Sequence, residues 1–162
     1  MIDTHLPATS KATTIKKMFS RKTSVTIDIA ASPETIWRLL TIAQRFKTWN
    51  TTIIDITGTI GPGEKIELRS TLAPKRIFKL KVKVFEPHSQ LSWGDAMGTR
   101  IFTLTPNQQG GTRFTMTEKI SGPFFLLFAK MIPPFDNAFD QFASDLKIAA
   151  EEVPLLTDFV EK

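Results

Sequence analysis

The chain has 162 residues, 41% apolar and 23% charged, with 13 Phe, 3 Trp, 2 His and neither Tyr nor Cys, and a formal net charge of +5. That length folds most simply as one domain, and the absence of cysteine excludes disulfides, thiolate metal ligands and a cysteine nucleophile. The charge sits almost wholly in residues 1–23, where Lys11, Lys16, Lys17, Arg21 and Lys22 face only Asp3, so the remainder lacks the basic excess of a nucleic-acid binder.

Residues 1–22 are rich in Thr, Ser and Lys with weak periodicity. They read as a loose, basic, flexible leader over 1–23 with a short helix near 13–20. The start lacks an apolar signal core, and no run reaches the ~18 apolar residues that span a bilayer, so the expected location is the cytoplasm. From Ser24 to Ala30 the chain alternates, Val25, Ile27 and Ile29 on one face and Thr26 and Asp28 on the other, which predicts a half-buried strand. Ser32 then serves as N-cap with Pro33 in the first helical position, and Ile36, Trp37, Leu39 and Leu40 form the apolar stripe of a short helix. A second short turn holds Ala43 to Phe46. Strands are predicted near 52–59 and 65–71, separated by Gly61-Pro62-Gly63. That glycine turn joins strands and opens no helix, so it is no phosphate loop. The next strand is the clearest: Phe78, Leu80, Val82 and Val84 alternate with Lys79, Lys81 and Lys83. Further strands follow at 90–95, 99–105 and 112–121. Phe135, Phe139, Phe142, Leu146, Ala149 and Val153 recur at helical spacing, which predicts a long C-terminal helix after Pro133-Pro134 that ends at Pro154. A curved sheet gripping that helix gives an α+β fold.

Parity along the strands selects the candidate site. Phe114, Met116, Glu118 and Ile120 share the buried face of the last strand; Arg100 shares a face with Phe102 and Leu104; Asp95 shares one with Leu91 and Trp93. Simple hairpins would set Asp95 opposite Arg100, Trp93 opposite Phe102 and Arg100 opposite Glu118, an inward group of two carboxylates and a guanidinium. A buried carboxylate needs such a partner. The group reads as a structural ion pair at a cavity rim, as a polar anchor for an oily ligand, or as a general acid/base centred on Glu118. His5, in the leader, and His88, in a turn, have no neighbours that would build a triad or a metal site, and no His/Asp/Glu cluster has metal-ligand spacing, so no metal or cofactor is expected. Trp49 and Asn50 read as a core corner and a backbone cap, or as lining of a cavity entrance. Phe124 to Phe128, followed by Lys130 and Met131, is oily for a connection. It reads as the first turns of the final helix, as a lid, or as a segment that dips transiently into a membrane surface.

The stretch Ser32-Pro33-Glu34-Thr35-Ile36-Trp37-Arg38-Leu39-Leu40, then Phe46-Lys47-Thr48-Trp49-Asn50, a strand meander and a long C-terminal helix resembles the START-like (SRPBCC) superfamily, which includes the birch-pollen-allergen fold, polyketide cyclase/dehydrase-like proteins and lipid-transfer domains. The resemblance implies a helix-grip fold: seven antiparallel strands, two short helices at one end and the C-terminal helix across a cavity. It sets a START-like domain at 24–153 between the leader and a tail over 154–162. It further implies binding or transport of a lipid- or polyketide-like molecule, with a minority of members catalysing cyclisation or dehydration. Combined with parity, the candidate ligand-binding residues are Trp49, Phe78, Trp93, Arg100, Phe102, Met116, Glu118, Phe139 and Phe142. The enzyme alternative uses Glu118 or Asp95 as base with Arg100 stabilising an enolate, and the absence of Tyr and Cys weighs against it. A third reading is a ligand-free interaction module whose hollow is filled by its own phenylalanines. Oligomeric state is left open.

Overall fold

The computed structural model describes residues 10–157, with side chains over 11–152. Eight strands form one antiparallel sheet: β1 (Ser10–Lys17), β2 (Ser20–Ile29), β3 (Ile53–Gly58), β4 (Lys65–Ser70), β5 (Phe78–Glu86), β6 (Gln90–Gly94), β7 (Gly98–Pro106) and β8 (Thr112–Ser121). Their order is β1-β2-β8-β7-β6-β5-β4-β3, so the meander β3 to β8 is closed by β2 pairing back onto β8. Helix α1 (Pro33–Thr41), a 3-10 turn at Ala43–Arg45 and α2 (Phe46–Trp49) connect β2 to β3; α3 (Phe125–Phe128) and a 3-10 turn at Ala129–Met131 precede the long α4 (Asp136–Thr157).

The α+β expectation holds, with eight strands in place of seven. The extra strand is β1, drawn from the segment read as a loose leader with a short helix. Its main partner is the next strand, β2, reached through a Met18-Phe19 turn with none of the usual turn residues, which is why the local pattern missed it. β1 pairs along β2 from Lys17↔Ser20 to Ser10↔Thr26. The start of α4 also holds it: the Ala12 N–H donates to Asp140 Oδ1 at 2.7 Å and the Thr14 hydroxyl donates to Asp136. Residues 1–9, with His5, and 158–162 lie outside the described residues.

Ser32 caps α1 as its sequence requires, its hydroxyl accepting from Thr35 N–H at 3.2 Å with Pro33 behind it. On β5 a bulge between Val82 and Val84 changes the phase: Val82 faces Trp93, Val84 faces Ser92, and Phe85 faces Leu91. Phe85, in place of Val84, therefore packs on the core, edge-on to Trp37 at 5.1 Å.

Helix α4 packs on β1 and β2. Its buried stripe is Phe139, Phe142, Ala143, Leu146 and Ala150, so the fully buried alanine is Ala150 in place of Ala149, in step with 3.6 residues per turn. The helix backbone also runs through Pro154 to Thr157 instead of ending there. Proline's fixed φ is itself helical, although its missing N–H and its ring disfavour a helix interior by about 3 kcal/mol. The oily segment after β8 is a separate short helix, not the first turns of α4, because residues ahead of Pro133 and Pro134 are pushed into extended backbone. Among the described residues no helix is long and apolar enough to cross a membrane.

Candidate functional site

The inward faces of β4 to β8 do not close on α4 everywhere. Between Leu68, Phe78, Leu80, Trp93, Ile120 and the segment Met131–Phe135 lies a cavity of about 270 Å³. Its walls are mostly apolar, and Arg100 and Glu118 supply charge. The loop after β4 (Leu72, Ala73, Arg76) and the β6–β7 turn form its rim.

Arg100 and Glu118 sit opposite one another on β7 and β8, in the register expected from the strand pattern. Glu118 Oε2 accepts from Arg100 Nε at 2.6 Å and lies 2.5 Å from its Nη2, and each side chain is 18% exposed. The Arg100 guanidinium also lies 5.1 Å from the centre of the Phe139 ring. A charge-assisted pair of this kind keeps both groups tolerable in a mostly apolar wall while leaving them partly exposed to the cavity.

Asp95 does not join them. The β6–β7 hairpin closes two residues earlier than expected, with Trp93 opposite Arg100, Leu91 opposite Phe102 and Gly94 opposite Thr99. The Asp95 carboxylate accepts from Met97 and Gly98 N–H at 2.8 and 2.9 Å, and its own N–H donates to Gly98 O at 2.9 Å. An aspartate that builds its own turn sets the register. Gly94 permits it, because a Cβ there would stand 2.2 Å from Gly98 O. Asp95 reaches the cavity rim exposed and committed to the turn.

Of the other expected residues, Phe78 and Trp93 line the cavity. Trp49, Phe102, Met116, Phe139 and Phe142 do not. Phe102, Met116, Phe139 and Phe142 are buried in the core. Phe142 is the hub there, with ring centres of Phe46, Trp49, Phe102 and Phe114 5.6–6.4 Å away. Trp49 is the core corner, and Asn50 is the cap: its Oδ1 accepts from Thr52 N–H and hydroxyl and from Ile53 N–H. Trp49 Nε1 and Asn50 Nδ2 are buried without a hydrogen-bond partner among the described residues. His88 is exposed in its turn, its ring 6.2 Å from Trp37.

Sequence reading offered the oily segment that ends at Met131 and Ile132 as a lid over the cavity mouth, and missed Pro133 and Phe135, which complete that wall. Arg21 places it, donating to Ile132 O at 3.1 Å and Pro133 O at 2.8 Å and lying 4.5 Å from the Phe135 ring centre. Burial pushes the Arg21 pKa below its ordinary value, opposed by Glu118 and Asp136. Parity was the available signal: Arg21 shares the inward face of β2 with Val25 and Ile27, where a cation needs acceptors. Among the described residues no group of three or more His, Asp or Glu could hold a metal ion.

The family described as polyketide cyclase / dehydrase and lipid transport matches residues 20–151, from β2 through most of α4. The chain belongs to that family. β1 lies outside the match. The family's description joins polyketide-related chemistry with lipid transport, which agrees with hydrophobic-ligand binding in general terms. Solved structures agree on the fold. The chain is similar to a protein from Nitrosomonas europaea at 17% identity and TM-score 0.67, over 87% of this chain and 99% of that one. A conserved protein of unknown function from Enterococcus faecalis matches at 19% and 0.62, over 91% of each chain. A START superfamily protein from Mycobacterium smegmatis matches at 16% and 0.61, over 82% of this chain and 98% of that one. No protein of curated function matches the chain.

Proposed function

We propose that this protein binds a hydrophobic small molecule in the cavity under β4–β8 and carries it, with Arg100 and Glu118 orienting a hydroxyl or carbonyl at the ligand's polar end. One observation carries the reading: an apolar-walled hollow that holds a single charged pair on adjacent strands. Its 270 Å³ is roughly twice the volume that holds one benzene ring, room for a two-ring system or a chain of similar bulk. The driving term is transfer of apolar area, about 0.8 kcal/mol per buried methylene. The family and its lipid- and polyketide-related description support the ligand class.

The test is uptake of an apolar fluorescent dye by the full chain, with native mass spectrometry of protein purified from its host. The parent takes up dye, and Leu80→Trp, which fills the hollow, weakens it about tenfold, the cost of excluding roughly two methylenes. Equal affinity in the two proteins, or no uptake by the parent and no co-purifying mass, overturns the proposal and favours an interaction module without ligand. The Arg100–Glu118 pair also keeps an enzymatic reading open, with Glu118 as base and Arg100 stabilising an enolate. Glu118→Gln that retains dye or ligand affinity while losing turnover selects it.

A further inference from the structure

The turns at one end of the sheet converge on the cavity mouth. Lys17 pairs with Ser20 and Ser20 with Ser121, which places the β1–β2 turn beside the start of α3. Ser121 N–H donates to Met97 O at 3.0 Å, which brings in the β6–β7 turn. The loop after β4 and Met131–Phe135 line the same cavity. Among the described residues, the strongly exposed large apolar side chains all lie at or beside this end except Ile148. Met18, Phe19, Phe124, Leu126, Leu127 and Met131 lead it, with Met131, Leu127 and Phe124 at 76%, 71% and 62% exposure. The charge there is one-sided. Residues 15–22, 71–77, 95–98 and 119–135 contain eight Lys and Arg, all but the buried Arg21 available at the surface, and a single acid, Asp95. The neighbouring carboxylates Glu118 and Asp136 are engaged by Arg100 and Thr14.

We infer that this end is a docking surface for an anionic lipid bilayer, with the apolar tips of the β1–β2 turn and α3 inserting at the headgroup boundary and the lysines meeting lipid charge. Exposed apolar tips rimmed by cations match that surface in both its chemistries. A second copy would bring the same positive end face to face and be repelled. A phosphodiester polymer would satisfy the lysines and leave the apolar tips in water. Docking here would set the cavity mouth against the membrane. The inference does not depend on what fills the cavity.

The experiment is flotation of the full chain with vesicles of phosphatidylcholine alone and with phosphatidylserine added. Partition favours the anionic vesicles about tenfold or more, and falls when salt is raised to about 1 M, where screening acts within ~3 Å. Phe124→Ser with Leu127→Ser lowers it roughly tenfold, Lys119→Glu with Lys130→Glu does the same at low salt, and Ile148→Ser leaves it unchanged. Leu127→Trp gives an indole quenched by brominated acyl chains, a readout that keeps the test intact should a double variant unfold. No partition, equal partition to both vesicles, an unquenched Trp, or a dimer abolished by Leu127→Ser in sedimentation equilibrium overturns the inference. Leu80→Trp separates the two proposals, since it weakens dye uptake and leaves vesicle partition in place.

Discussion

The concave side of the sheet has two halves built on opposite solutions. Over β2, β8 and the far part of β7, α4 fills the space: Phe142 reaches into a cluster of Phe46, Phe102 and Phe114, and Leu146 and Ala150 continue it to complete burial. Over β4, β5 and the near part of β6 and β7 the end of the 3-10 turn at Met131 and the non-helical Ile132–Phe135 take the helix's place, and the space beneath stays open. The difference originates in two prolines. Pro133 and Pro134 hold the chain extended until Asp136, so no helix lies over that half. A packed half fixes the fold and an unpacked half leaves room for a guest.

Truncation of one large side chain in each half is the strongest test of this contrast. Phe142→Ala removes the hub of the filled half and should cost about 3–5 kcal/mol, read as a lowered midpoint in denaturant unfolding. Leu80→Ala removes a side chain that already faces open space, and should cost about 1 kcal/mol or less, because little new cavity is created. Equal losses at the two sites would mean that the hollow is as tightly packed as the core.

The charged pair offers the next largest effect. Arg100→Met leaves a carboxylate in an apolar wall without its guanidinium, and at 18% exposure the expected loss is about 1–2 kcal/mol, below the figure for full burial. Replacing both residues with Met should restore most of that stability while weakening uptake of a dye that carries a polar end. A double variant that keeps wild-type uptake would make the pair a structural bridge and nothing more.

Parity made the Arg100–Glu118 pair legible, because one buried face and a short loop leave few registers for β7 against β8. The same logic misplaced Asp95 by two residues, since it treated 96–99 as the loop and gave no weight to an aspartate able to accept from its own turn. Phenylalanines cannot be divided between wall and core from sequence. Phe78 alternates inward on a strand and Phe142 recurs on the inner stripe of a helix, and only the course of α4 decides that one faces the hollow and the other fills the core. The β1 strand was illegible for two reasons: the Met18-Phe19 turn that folds it onto β2 carries no Gly, Asn, Asp or Pro, and its ties to α4, Ala12 with Asp140 and Thr14 with Asp136, span more than a hundred residues.

Acid should give the smallest effect and should touch each half through a different carboxylate. Asp55 and Arg69 join β3 to β4 at the edge of the open half, and the Arg69 hydrogen bonds at 2.7 and 3.2 Å hold Asp55 below its ordinary value of 3.8. Glu151 ties α4 to β2 in the filled half. Burial alone would raise it, but the Lys147 ammonium at 2.6 Å and the Ala30 N–H at 2.9 Å outweigh burial and hold it below 4.5. A folded pKa below the unfolded one means a contribution that is complete above the unfolded value and disappears as pH falls through the folded one. Stability should therefore begin to decline below about pH 4.5, where Glu151 takes up its proton in the unfolded chain, and decline further below about 3.8, where Asp55 does so. Glu151→Gln should lower the neutral-pH melting temperature slightly and flatten the first part of that decline, while Asp55→Asn flattens the later part. Hydrogen exchange would add location, with amides of β3 and β4 opening in the later step. If both variants trace the parent's acid profile, these carboxylates do not hold the two halves to the frame, and the acid response must arise elsewhere in the chain.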